Sequence, residues 1–291
     1  MLITDKFIYV HQPKTGGTFV TSVIAAIHEA RSDRVETFHL DGAAGWTQVP
    51  GSGAGMIARV LLRGRNQHGT RSDIPLRYRG RPLLATIRNP YDRYVSQYEF
   101  AWWRVYPEMF GPVEHVRRLC PRYPDLAFDE FVELTNTASL RYKPSADSEY
   151  TPGFQTQQFV EYLLAKPDDA YPLLHDDSAW DRLWELEKIG LHLIDQQALR
   201  DQLHAFLLQM GYAPGELALV RNADWIRPRI GPSVDSEWTS DYSPSLGAYV
   251  ERMTRGRSPA RDWTRYYTPE LKAFVRERER VLFRLFPQFD V

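Results

Sequence analysis

The chain has 291 residues, 43 % apolar and 25 % charged, with a formal net charge of −1. That balance excludes wholesale disorder, leaves enough apolar residues for a sizeable core, and gives no global reason to expect a nucleic-acid partner. The single cysteine, Cys120, excludes an internal disulfide and a cysteine-built metal centre, and favours a reducing compartment.

The N-terminal MLITDKFIYVHQPK has too short an apolar stretch for a signal peptide. No window approaches the roughly 20 apolar residues of a membrane-spanning helix, so the expectation is a soluble, cytoplasmic protein. Phe7–His11 reads as a buried strand, followed by the loop HQPKTGGTF and a helix with Phe19, Val20, Val23, Ile24 and Ile27 at helical spacing. Arg34–Leu40 predicts a second strand, 42–55 a glycine-rich loop and Met56–Leu62 a helix. Arg81–Arg88 predicts a third, buried strand, and Asn89-Pro90 opens the next helix as N-cap and first helical residue. Segments 126–137 and 155–165 predict helices, 189–195 a fourth strand, and QQALRDQLHAFLLQMG a helix closed by Gly211. Residues 214–268 read as mostly irregular. A final helix starts at Thr268 as cap and Pro269. Strands alternating with helices predict an α/β fold with a central parallel sheet flanked by helices, as one domain over 1–291.

The loop after the first strand fails as an ATPase loop, because Lys14 precedes Gly16 and Gly17 where a Walker A loop has its glycines before the lysine. It succeeds as an anion cradle. Gly16 and Gly17 allow close approach of backbone amides, the following helix aims its N-terminus there, Lys14 adds a charge, and Thr18 can cap the helix and donate to the anion. The bland alternative is a strand-to-helix turn with an incidental lysine. Position must also decide what the basic composition means: 30 of 36 basic residues are arginine, as a GC-rich genome or a demand for anion-binding forks would each produce.

PKTGGT in this setting resembles the 5′-phosphosulfate loop of sulfotransferases that use 3′-phosphoadenosine 5′-phosphosulfate (PAPS). It is most similar to the carbohydrate branch, which includes heparan sulfate 2-O- and 6-O-sulfotransferases and bacterial relatives. IRNPYDRYVSQY resembles their 3′-phosphate site, in which an arginine ends a strand and a serine follows eight residues on, here Arg88 and Ser96. PGFQTQQF (152–159) resembles a stretch that lines the site in that branch. The resemblance implies a P-loop-like three-layer fold, PAPS as co-substrate, 3′-phosphoadenosine 5′-phosphate (PAP) as product, and no metal. It further implies an acceptor hydroxyl on a carbohydrate or glycolipid, donor binding by Lys14, Thr15, Gly16, Gly17, Thr18, Arg88 and Ser96, and a charge-stabilising role for Lys14. Oligomeric state is not legible.

The branch places a histidine base between the second strand and the 3′-phosphate strand, which points to His68. His39 and a carboxylate remain open, whereas His11 is expected to pack beneath the cradle. Seven arginines between 59 and 81 would surround His68 with positive charge, holding anions nearby and keeping it neutral. Arg255 and Arg257 resemble a flap over the 3′-phosphate, or form a solvated charge run. Of Trp102 and Trp103, expected on the helix after Ser96, one is assigned to the core; the other stays open as a stacking surface. Two rival classes remain: a nucleotide or small-molecule kinase with a divergent loop, and a catalytically silent nucleotide-binding module.

Overall fold

A computed structural model describes residues 1–31, 33–40, 56–62, 68–104, 106–144, 148–222 and 262–291. These divide into two compact units: Met1–Arg88 with Gln158–Ile226, and Asn89–Gln157 with Arg227–Val291.

The first unit carries the sheet. Its strands are β1 (Leu2–Thr4), β2 (Ile8–Val10), β3 (Arg34–Leu40), β4 (Met56–Leu62), β5 (Leu83–Ile87) and β6 (Leu191–Asp195), in the order β3-β4-β1-β2-β5-β6. The pairs β3–β4, β2–β5 and β5–β6 are parallel, while β1 is antiparallel to both β2 and β4. The fold is therefore α/β as expected, but the sheet is mixed rather than wholly parallel. The reversal comes from a hairpin absent from the sequence expectations. Thr4 Oγ1 donates to the Phe7 carbonyl and accepts from the amides of Lys6 and Phe7, turning the chain within two residues. Met56–Leu62 is a second correction, a strand instead of a helix. Its seven residues pair with β3 along their whole length and with β1, and seven residues are too few for a helix to stabilise itself.

One sheet face packs Leu2, Phe7, Tyr9, Leu84 and Ile194 against α1 (Gly17–Ala30), α8 (Leu199–Gln209) and α9 (Ala218–Arg221) through Val20, Ile24, Ile27, Leu203, Leu207 and Val220. Residues of opposite register, Ile8, Val10, Leu83 and Ala85, are also buried, so these strands are covered on both faces. Helices α6 (Pro167–Ala170) and α7 (Asp177–Glu187) also belong to this unit. α8 is capped at its C-terminus by Met210, with Gly211 at φ 73 continuing the exit, as the sequence predicts.

The second unit is helical: α2 (Pro90–Phe100), α3 (Val113–Leu119), α4 (Phe128–Ala138), the start of α5 (Phe154–Leu163), α10 (Pro269–Arg278) and α11 (Arg280–Leu285). Asn89 caps α2 through the Tyr91 amide, and Thr268 caps α10 through the Leu271 amide, both as predicted. The final helix is broken at Glu279, which is wholly buried. Its carboxylate accepts from the Tyr94 hydroxyl (2.5 Å), the Gln155 and Thr156 amides (3.0 and 2.7 Å) and the Thr156 hydroxyl (2.7 Å). Burial pushes its pKa up while these donors pull against it. Trp103 is core, stacked on Phe131 at 4.6 Å, and Trp102 is 41 % exposed. Neither lies on α2, because Ala101 turns left-handed at φ 50 and ends it.

Candidate active site

Strand order alone makes one crevice special. After β2 the chain crosses to β3 on one side of the sheet; β6, the next strand after β5, lies on the other. The gap between the carboxyl ends of β2 and β5 is thus a topological switch point, where open α/β sheets gather ligands. Val10 pairs with Ala85, so the loop leaving β2 and the exit of β5 toward Arg88 emerge side by side.

The loop leaving β2 is tightly specified. Lys14 adopts φ 63, a left-handed conformation that costs a non-glycine residue about 1 kcal/mol or more. Gly16 follows at φ 97 and serves as N-cap of α1; a methyl there would also meet Leu199 Cδ2 at 2.9 Å. A methyl on Gly17 would land in the His11 ring, which is 3 % exposed and packs under it as predicted. Because the helix starts at Gly17, Thr18 is already inside the first turn. It does not cap α1, contrary to expectation, and its residue is exposed. Thr15 is wholly buried and its hydroxyl donates to the Gln12 carbonyl at 2.9 Å, so that proton is committed within the loop.

Two cations meet here. Arg88 Nη1 donates to the Lys14 carbonyl at 3.2 Å. Burial, then the nearby Arg88 charge, lowers the Lys14 pKa to about 7. A lysine with an arginine nearby at the start of a 14-residue helix brings two cations to a helix N-terminus, an arrangement suited to an anion.

His68 stands next to the cradle. Its ring lies 4.5 Å from the His11 ring, edge to face, and its Nδ1 is 2.8 Å from the His11 carbonyl oxygen. A carbonyl can only accept, so Nδ1 carries the proton and, in the neutral ring, the lone pair lies on Nε2. Burial first, and then the charge of His68, hold the His11 pKa well below the usual imidazole range.

Of the basic field expected around His68, Arg63 and Arg65 lie outside the described residues, and the four arginines from 71 to 81 are committed to structure. Arg71 pairs with Glu187 at 2.9 Å and donates to the Leu163 carbonyl, Arg79 donates to the Ile74 carbonyl, and Arg81 donates to the Thr4 carbonyl. Arg77 and Arg81 both stack on the Tyr78 ring. These guanidiniums clamp the 71–81 segment, which for these four corrects the expectation that they hold anions near His68.

Lys14, Thr15, Gly16, Gly17, Thr18, His68 and Arg88 thus share the first unit. Ser96 belongs to the second, half-buried in the second turn of α2. His39 lies on β3, opposite Leu61. Arg255 and Arg257 lie outside the described residues. The Gln155–Gln157 stretch is buried, with Gln155 donating to the Pro90 carbonyl and Gln157 paired with the backbone of Tyr142, so these side chains brace the second unit instead of lining a cleft. Among the described residues, no group of three or more His, Cys, Asp or Glu side chains is placed to hold a metal ion, and no helix is long and apolar enough to cross a membrane.

No protein-family model matches the chain, and neither does any curated protein. Among solved structures it is similar to mouse sulfotransferase SULT7A1 complexed with PAP, at 16 % identity and a TM-score of 0.46, over 98 % of this chain and 87 % of that one.

Proposed function

We propose that the chain is a PAPS-dependent sulfotransferase acting on a hydroxyl of a carbohydrate or glycoconjugate. The observation that carries this reading is the convergence of Lys14 and Arg88 at the start of α1, within a loop whose sequence resembles a 5′-phosphosulfate loop. In this reading the amides at Gly16 and Gly17 and the Lys14 ammonium receive the 5′ side of the donor. Arg88 and Ser96 receive the 3′-phosphate.

The acceptor oxygen attacks sulfur in line, the bond from sulfur to the bridging oxygen of the 5′-phosphate breaks, and PAP leaves. Lys14 stabilises the charge that develops on that bridging oxygen. The acceptor proton goes to His68 Nε2, the nitrogen that the Nδ1–H bond to the His11 carbonyl leaves basic. His39 and a carboxylate are the competing bases.

Transfer from sulfur-labelled PAPS to a panel of mono- and oligosaccharides, glycolipids, phenols and tyrosine peptides tests the reading. Label is expected on a carbohydrate hydroxyl. His68→Ala should retain PAP binding and lose turnover by about 100-fold or more. Label on phenols alone would overturn the acceptor class, and near-normal turnover in His68→Ala would remove His68 as base.

A further inference from the structure

Beneath the cradle lies a run of buried hydroxyls that donor binding and proton transfer do not use. Tyr9 OH is 3.3 Å from Thr86 Oγ1, Thr86 Oγ1 is 2.6 Å from Thr15 Oγ1, and Thr15 Oγ1 is 2.9 Å from the Gln12 carbonyl oxygen. All three residues are fully buried. Each hydroxyl has one proton, and Thr15 commits its own to a carbonyl that can only accept. Thr86 must therefore donate to Thr15, and Tyr9 to Thr86. The chain has one direction, from Tyr9 on β2 through Thr86 on β5 into the loop, and each bond polarises the next.

The geometry of β5 gives this run a purpose. Thr86 and Arg88 are two residues apart at the end of an extended segment, so they project to the same side. Thr86 reaches the Gln12 carbonyl through Thr15, and Arg88 reaches the Lys14 carbonyl directly. The two gripped carbonyls are also two residues apart, and Pro13 between them has no amide proton to offer an alternative bond. A trans peptide points its N–H opposite to its C=O. Holding the Lys14 carbonyl toward Arg88 therefore turns the Thr15 amide the other way, and holds Lys14 in its left-handed turn.

We propose that Thr86 is a positioning residue for the anion cradle, acting through Thr15 to hold the Gln12–Lys14 segment in its binding conformation. The proposal rests on the PAPS reading only for the identity of the ligand. The geometry it invokes is that of the loop itself, and the low Lys14 pKa reports on that geometry.

The test compares the full chain with Thr86→Val, which keeps the volume and loses the hydroxyl, and Thr86→Ser, which does the reverse. Two readouts are taken: PAP affinity by calorimetry, and the pH profile of Lys14 Nζ methylation followed by peptide mass spectrometry. The expected result is a folded Thr86→Val that binds PAP about five- to tenfold more weakly and shows a displaced Lys14 profile, with both restored in Thr86→Ser. Wild-type values in Thr86→Val, or equal loss in Thr86→Ser, would overturn the proposal. If Thr86→Val fails to fold, Thr15→Val breaks the same link from the loop side and is read in the same way. If the wild-type chain binds no PAP, the donor reading fails, while the Lys14 profile still decides the role of Thr86.

Discussion

Lys14 combines three costs in one residue: a left-handed backbone, a desolvated ammonium and a neighbouring guanidinium. An anion in the cradle would offset the electrostatic two. The sign of the pH dependence follows. Burial and Arg88 bring the Lys14 pKa to about 7, well below the ordinary lysine value of 10.5, and a bound phosphate would raise it by favouring the charged form. Binding therefore takes up a proton above about pH 7, and PAP affinity should fall about tenfold per pH unit from there until the bound-state pKa is reached. Lys14→Met should bind more weakly at pH 7 and lose the slope. A wild-type affinity independent of pH between 7 and 9 would show that Lys14 does not face the anion. Gly17 carries the complementary residue-scale lesson. The sequence suggests close ligand approach as its reason, and the structure adds the His11 ring beneath it.

Among the elements, those with local signals were legible. Asn89-Pro90, Thr268-Pro269 and Gly211 mark helix ends by cap chemistry that needs no distant partner, and each stands where the sequence places it. The strands β1 and β4 were not legible: β1 is only three residues long and pairs with its hairpin neighbour β2 and with β4, and β4 takes its conformation from pairing with β3 and β1, tens of residues away. The broken C-terminal helix has the same kind of cause. Nothing in VRERERVLF distinguishes Glu279 from its charged neighbours, yet it alone of these is wholly buried, accepting from the first amides of α5 and from Tyr94 on α2. Glu279→Gln replaces one accepting oxygen with a donor and removes the charge facing those amides. It should cost about 2–4 kcal/mol in denaturant unfolding, and an unchanged midpoint would show that the carboxylate is not a structural centre of the second unit.

At the scale of the whole molecule, the candidate site follows from strand order. The chain reverses direction across the sheet between β2 and β5, and their parallel pairing brings residues 11–18 beside Arg88. That much of the site was visible as two motifs, because each motif is continuous in sequence. The supports were not visible: His68 lies 57 residues from the His11 carbonyl that orients it, and Thr86 lies 71 from Thr15. Side chains that position others are recruited across such separations by packing, and no spacing rule announces them. The central claim, that this crevice is built for a nucleotide with phosphates at both the 5′ and 3′ positions, is tested most directly by calorimetric titration of PAP, with 5′-AMP and ATP–magnesium as competitors. The account predicts that PAP binds in preference to both, and that Arg88→Ala abolishes the advantage of the 3′-phosphate. Preference for ATP–magnesium, or equal binding of PAP and 5′-AMP, would contradict it.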